Sequence, residues 1–306
     1  MIFVFGTICI DRLLRVPELP APGGYVEITQ ELKLLGGEAA NTATALTAWN
    51  SEVILAGNDL GSGPEGDFLR NVIAQKGVSL VQPMSVSGHT PVCDIYITPD
   101  GERTMFGQGF STMVVPDRPE TYPMQAGDWF TAEPNLGAIA RVVVEMAVRK
   151  EMKIYLMDFI ADGDPVPRGS FWQCSTDWVG FRNNMQRNVE WVKQFSTLHQ
   201  CFVILSDGPN GFVAGGYAEG QGEFSVRHYP PFPAPIVVDT TGAGDMFRAG
   251  MLFGLAKGWD LPHCLQFASS AGCLKCRALG ATSDVPLVQE IEAHILANPD
   301  VARRYE

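Results

Sequence analysis

The stretch Val237-Val238-Asp239-Thr240-Thr241-Gly242-Ala243-Gly244-Asp245-Met246-Phe247 decides how this chain reads. An apolar run stops, a glycine-rich turn follows, and a helical pattern begins. Such a turn leaves backbone N–H groups unpaired at the positive end of a helix dipole, a site suited to phosphate. Glycine lets the backbone approach the ligand, because no Cβ intervenes. Asp245 falls inside the turn. A carboxylate cannot hold phosphate, but beside an anion hole it can take the proton of a hydroxyl that attacks a phosphoryl group. Taken alone, Gly242-Ala243-Gly244-Asp245 equally describes an aspartate capping a glycine turn.

Outward from this stretch, short apolar runs alternate with longer helical patterns. Strands are expected at Ile2–Phe5, Val53–Ala56, Trp129–Ala132, Ile154–Met157, Trp178–Phe181 and Phe202–Leu205. Helices are expected at Glu38–Trp49, Gly66–Gln75, Leu136–Arg149, Met185–Phe195, Gly244–Ala256, Leu261–Cys276 and Val285–Leu296. The alternation predicts an α/β fold, a mostly parallel sheet flanked by helices on both faces. Two segments break the rhythm. Tyr25–Leu34 and Val92–Phe106 alternate apolar and polar residues, the second around a Pro99-Asp100-Gly101 turn. They predict a small antiparallel β lid over a site, or a plain β excursion. The whole chain, residues 1–306, is read as one domain, with lid strands from about 12–35 and 89–110. No internal repeat is visible.

Lys plus Arg number 22 and Asp plus Glu 34, a net charge of −12. That balance disfavours nucleic-acid binding, which depends on neutralising phosphates, and anionic membrane surfaces repel it. No run of apolar residues is long enough to cross a bilayer, and the apolar N-terminus has no basic flank and is interrupted by Asp11. Seven scattered cysteines read as buried thiols of a cytoplasmic protein; Cys273-x-x-Cys276 lies in a helical pattern with no second pair. The five histidines show no metal-ligand spacing. No Walker loop, nucleophile elbow or dinucleotide fingerprint occurs.

The motif Asp239-Thr240-Thr241-Gly242-Ala243-Gly244-Asp245-x-Phe247 resembles the C-terminal signature of the ribokinase-like (PfkB) carbohydrate kinases. Further segments are similar to that family in the same order: Gly6 with Asp11, Gly36-Gly37-Glu38-Ala39-Ala40-Asn41-x-Ala43, Asp100-Gly101-Glu102-Arg103, Leu205-Ser206-Asp207-Gly208-Pro209-Asn210-Gly211, and Lys275-Cys276-x-x-x-Gly280-Ala281. The resemblance spans nearly the whole chain and implies a ribokinase-like fold. One departure stands out. Where the family often carries N-x-x-E, a Glu that organises magnesium, this chain gives Asn183-x-x-Gln186. A neutral amide adds no charge to a metal site.

The resemblance implies a kinase that moves the γ-phosphoryl group of ATP to a hydroxyl of a sugar or sugar-like molecule. Asp245 would be the general base, and Gly242, Ala243 and Gly244 would stabilise the transferring group. Asp11, Gly37 and Asn41 would hold the acceptor. Ser206, Gly208 and Gly211 would face the nucleotide, with Mg²⁺ bridging its phosphates. Asp239 and Thr241 would line a potassium-binding loop, or else only cap the turn. Arg103 either reaches a substrate anion or stays solvated. Glu133 and Asp158 end predicted strands, where ligands of open α/β sheets gather; helix capping explains Glu133 equally well. A nucleoside kinase is the alternative, and a non-catalytic sugar- or nucleotide-binding protein a further one. An exposed lid sheet with one apolar face predicts a homodimer.

Overall fold

A computed structural model of the chain describes residues 1–81, 88–99, 103–115 and 119–306. The Asp100-Gly101 turn expected in the lid lies outside the described residues.

The first half of the chain runs β1 (Ile2–Gly6), β2 (Cys9–Arg15), β3 (Gln30–Gly36), α1 (Glu38–Ala48), β4 (Val53–Gly57), α2 (Pro64–Gln75), β5 (Ser79–Leu80), β6 (Val92–Ile97) and β7 (Arg103–Gln108). Next come β8 (Trp129–Ala132), α3 (Ala138–Arg149), β9 (Lys153–Met157), β10 (Phe171–Ser175), α4 (Met185–His199) and β11 (Phe202–Ser206). The chain ends with β12 (Phe212–Ala218), β13 (Gly222–Tyr229), α5 (Ala243–Ala256), α6 (Leu261–Lys275), α7 (Val288–Ala297) and the short α8 (Pro299–Ala302).

Nine strands form the main sheet in the order β13-β12-β11-β10-β9-β8-β1-β4-β5. The pairs from β11 to β5 are parallel, and β12 and β13 add an antiparallel edge. Each central strand is buried on both faces, and the period of two deals its side chains to two cores. Ile2 and Val4 join the core under α1, α2, α5, α6 and α7. Phe3 and Phe5 join the core under α3 and α4. In α3, Ala140, Val143, Val144 and Ala147 recur at helical spacing and are all buried. Burying each large apolar side chain stabilises the fold by about 1.5–3 kcal/mol, so Phe130→Ala, at the centre of the second core, should cost about 3–5 kcal/mol.

A second sheet of four strands, ordered β3-β2-β6-β7, grows directly from the end of β1. The β2/β3 and β6/β7 pairs are antiparallel and the central β2/β6 pair is parallel. Leu13, Ile95 and Ile97 form its buried face, with Leu32, Leu34, Cys93 and Leu279 against them.

The structure corrects two expectations and adds two strands. Trp178–Phe181 is a turn, and the strand is β10, seven residues earlier at its start. Gly180 has φ 74°, which a strand cannot continue through, and Trp178 is 67% exposed. Gln173 interrupts the apolar run of β10 and masks it in the sequence. Strands β12 and β13 lack a clear sequence pattern, since Gly215, Gly216, Gly220 and Gly222 blur their alternation. The strand expected at Tyr25–Leu34 begins only at Gln30. All seven cysteines are free. Among the described residues no helix is long and apolar enough to cross a membrane.

Candidate active site

The turn before α5 is built around Gly242, whose φ of 77° is left-handed and whose Cα faces Ala281; a Cβ there would meet the Ala281 Cβ at 2.4 Å. Of the three N–H groups expected to form the anion hole, that of Ala243 donates to the Thr240 carbonyl at 3.2 Å. The Gly244 carbonyl accepts from Gln173 Nε2 at 3.0 Å, which ties the turn to β10. Gln173 is itself fixed by the Tyr155 hydroxyl, 2.7 Å from its Oε1. The turn therefore sits above the C-terminal ends of the central strands, where open α/β sheets bind ligands.

Asp245 lies in the first turn of α5 and is buried. Its Oδ2 accepts from Asn41 Nδ2 at 2.8 Å, and its Oδ1 is 3.5 Å from the Arg248 guanidinium one helical turn on. Burial pushes its carboxyl up to about 6, against the pull of Arg248 and the Asn41 hydrogen bond; Glu133 adds repulsion and Lys275 a further pull down. Arg248 is fully buried. It donates from Nε to Thr42 Oγ1 at 2.9 Å and from Nη2 to the Glu38 carbonyl at 2.6 Å. It thus clamps α1, which carries Asn41, to α5, which carries Asp245.

Across from the turn, Asp11 is buried on β2 with Cys9 Sγ at 3.5 Å from its Oδ1. Gly36 is required beside it, because a Cβ there would meet the Asp11 carboxyl carbon at 2.1 Å. Burial lifts Asp11 to about 7, the Cys9 contact opposes this, and Asp245 and Asp239 reinforce it. Gly37, with φ 96°, opens α1 against the Thr7 carbonyl. Asn41 Oδ1 is buried without a partner, so one acceptor remains open beside Asp245. The structure therefore brings Asp11, Gly37, Asn41 and Asp245 together.

Three more carboxylates crowd the same floor. Glu133 is fully buried and accepts from the N–H of Thr7 and, at 2.7 Å, of Asn135. Its role is local: it holds the β1–β2 link and caps the turn after β8. Asp158 adopts φ 57° after β9, and its Oδ1 is buried and unpartnered. Burial raises it to about 7, opposed by Arg248 and helped by Asp245 and Glu133. Glu38 Oε2 is likewise buried and unpartnered. Burial and the nearby Glu133, Asp245 and Asp158 hold Glu38 well above the carboxylate range. Strained or unsatisfied groups that gather in one place mark functional sites.

The other end of the turn is different. Asp239 Oδ1 accepts from Thr241 N at 2.8 Å and Thr241 Oγ1 at 2.7 Å, and Oδ2 from Gly280 N at 2.7 Å. The Lys275 ammonium, fully buried, donates to the Asp239 carbonyl at 2.8 Å and lies 4.0 Å from Oδ2. It also reaches the Ala278 carbonyl at 3.4 Å. Burial alone would raise Asp239, but Lys275 and the bonds from Thr241 and Gly280 outweigh it and hold the carboxyl below its usual value. With these donors in place, Asp239 and Thr241 do not fit a bound potassium ion: the carboxylate is filled from within the chain, and a cation already occupies the carbonyls. Arg103, expected to be solvated or anion-binding, donates from Nη1 to Thr241 Oγ1 at 2.9 Å and so ties the four-stranded sheet to the turn. Lys33 faces away, over the Phe68 ring and 4.0 Å from Glu65.

The expected nucleotide loop follows β11. Asp207 organises it, accepting from Thr176 Oγ1 at 2.7 Å, Asn183 N at 3.0 Å and Asn210 Nδ2 at 3.2 Å. Ser206 turns its hydroxyl to the Cys174 carbonyl at 3.2 Å. Gly208 opens a 3-10 turn and Gly211 follows it. Gln186 is exposed in the first turn of α4. Among the described residues no three His, Cys, Asp or Glu side chains converge to hold a metal. A separate depression, lined by Trp129, Lys153, Arg168, Phe171 and Glu219, opens at the opposite end of the strands and carries none of this machinery.

Sequence reasoning missed Gln173, the Arg248 clamp and the place of Lys275. The signal was available for the last two: a lone cation within an apolar helix pattern must find an internal partner.

A buried carboxylate at a glycine turn, over the ends of a parallel sheet and tethered to a small second sheet, defines an α/β enzyme acting on a small molecule. The pattern of the pfkB family carbohydrate kinases matches residues 1–114 and 176–287, and the chain belongs to that family. Its members are phosphotransferases with an alcohol group as acceptor. A protein of Dictyostelium discoideum described as an uncharacterized sugar kinase is 29% identical, covering 96% of this chain and 97% of that one. The ribokinase of Bacillus subtilis (strain 168) is 24% identical over 95% and 98% of the two chains. Among solved structures, Arabidopsis thaliana ribokinase complexed with ribose and ATP superposes with a TM-score of 0.75 at 18% identity, covering 96% of this chain and 98% of that one.

Proposed function

We propose that the protein transfers the γ-phosphoryl group of ATP to a hydroxyl of a neutral sugar or sugar-like polyol. The observation that carries this reading is Asp245: buried at the start of α5, held by Asn41, and lifted to about 6 by its surroundings. A base must be ionised at neutral pH yet still basic enough to take a proton, and a value near the working pH meets both demands. The acceptor hydroxyl hydrogen-bonds to Asp245, loses its proton to it and attacks the γ-phosphorus, while ADP departs. The N–H groups of Gly242 and Gly244 take up charge on the transferring oxygens, that of Ala243 being donated to the Thr240 carbonyl. Asp11 and Asn41 orient the neighbouring hydroxyls. Mg²⁺ enters with the ATP phosphates as part of the substrate and takes its other ligands from water, so no carboxylate of the chain is assigned to it.

The floor favours a neutral acceptor. Glu38, Asp158 and Asp245 gather around one buried arginine with Asp11 beside Asp245, and burial already disfavours their charged forms, so a sugar acid or phosphorylated acceptor would bring a further negative charge onto a floor with no free cation among the described residues to meet it. The unpartnered oxygens of Glu38, Asn41 and Asp158 await donors, which polyol hydroxyls supply.

The test is ADP release from Mg-ATP with hexoses, pentoses, polyols, sugar acids and nucleosides, for the wild type and Asp245→Asn. Turnover with neutral sugars that collapses in the variant supports the reading. Preference for a nucleoside would move the assignment to that branch, and binding without turnover would make the protein a sugar or nucleotide receptor. We also infer a homodimer through the four-stranded sheet, whose Met105 and Phe106 are 61% and 58% exposed; light scattering that gives a monomer mass at micromolar concentration would refute it.

A further inference from the structure

The resemblance to ribokinase-like kinases implies potassium at the loop of Asp239 and Thr241, and the residues of this chain do not fit one. We propose that the Lys275 ammonium is a built-in monovalent cation for the 239–245 turn, so that turnover is independent of potassium. The inference rests on the reading of that turn as the phosphoryl site.

The geometry is specific. Lys275 ends α6 with no exposed surface, in a position where an unpaired ammonium would be costly. Its Nζ lies between main-chain carbonyls of two separate segments, Asp239 at 2.8 Å and Ala278 at 3.4 Å, with the Asp239 carboxylate at 4.0 Å. Main-chain carbonyl oxygens beside a carboxylate are the kind of ligand a large monovalent ion takes. The ammonium serves the same oxygens with hydrogen bonds. The surrounding contacts run straight to the chemistry. Val238 N and Asp239 N both donate to the Cys276 carbonyl, at 2.8 and 3.2 Å. Gly280 N donates to Asp239 Oδ2, and the Gly242 Cα faces Ala281. Lys275 therefore acts as a positioning residue: it fixes Asp239, Asp239 fixes Thr241, and the turn to Asp245 follows. A tethered ammonium is present at every turnover, whereas a bound ion must be captured and loses occupancy as potassium falls.

The experiment compares the wild type with Lys275→Met, and with Lys275→Ala as a second variant, in tetramethylammonium chloride titrated with KCl or NH₄Cl at constant ionic strength. ADP release and melting temperature are both read. Wild-type turnover should change by less than about twofold across the titration, and its melting temperature should not respond to K⁺. Turnover of the variants should drop by roughly tenfold or more without K⁺, since a misplaced catalytic turn costs rate steeply. K⁺ or NH₄⁺ should restore part of that loss and raise their melting temperatures. A residue that merely fills space would show no such rescue. Activation of the wild type several-fold by K⁺ would overturn the proposal, and so would variants that match the wild type without K⁺. The wild-type titration is decisive even if neither variant folds. If no acceptor supports ADP release, the kinase reading fails, while the cation response of the melting temperatures still tests Lys275.

Discussion

Asp239 and Asp245 stand six residues apart at the two ends of one glycine turn, each with a buried cation nearby, and their carboxyls are driven in opposite directions. At Asp239, three donors from the chain and the Lys275 ammonium overcome burial and lower it. At Asp245, one amide and a guanidinium at 3.5 Å do not offset burial among like charges, and it rises to about 6. On the proposed reading, the difference separates a structural acid from a chemical one. A carboxylate whose lone pairs are all filled is a brace, and a carboxylate kept partly unsatisfied is available to a proton.

The sharpest way to break this comparison is to neutralise each acid. Asp245→Asn should lower turnover by about 10²–10⁴-fold with the fold intact, read as acceptor-dependent ADP release together with circular dichroism. Asp239→Asn should act first on stability, since it leaves Lys275 without its counter-charge; a loss on the order of 3 kcal/mol is expected, measured by urea unfolding. Its sign with pH follows from its lowered value: the contribution is present above the unfolded carboxyl value and disappears as pH falls through the lower folded one.

Asp11 sharpens the contrast, because it is raised to about 7 with no cation of its own. Its ionised form destabilises the fold, and Asp11→Asn should raise stability by about 2 kcal/mol near pH 8. The gain should be full above about pH 7 and shrink towards nothing as pH falls to the unfolded value of 3.8. The smallest effect concerns Arg248. Arg248→Met should move the acid limb of kcat/KM upward by about one pH unit, because Asp245 then loses the cation that favours its ionised form. A limb that stays put in the variant would separate Arg248 from the protonation of Asp245.

Much of this arrangement was legible in the sequence. The alternation of buried runs and helical patterns predicted the parallel sheet, and the 237–247 stretch predicted a glycine turn leading into a helix; the structure places no strand at Val237-Val238 and puts Asp245 in the first turn of that helix. Asp11 on β2 and Gly37 and Asn41 at the start of α1 could be placed with Asp245 only through resemblance; the structure supplies the Asn41–Asp245 hydrogen bond. The strand at Phe171–Ser175 stayed hidden because a buried glutamine there bonds to Tyr155 and Gly244, partners that no local pattern reveals. The cations were harder still. Arg248 and Lys275 act across 206 and 36 residues of sequence, on Thr42 and Asp239. A sequence shows that a buried charge needs a partner, but not which partner the fold supplies.

The central claim, that Asp245 is the base of a phosphoryl transfer, is tested most directly by kcat/KM against pH for the wild type and Asp245→Asn with the preferred acceptor. The account predicts an acid limb near pH 6 in the wild type, and in the variant a residual rate with that limb gone. An unchanged limb, or a variant within a few-fold of the wild type, would contradict it.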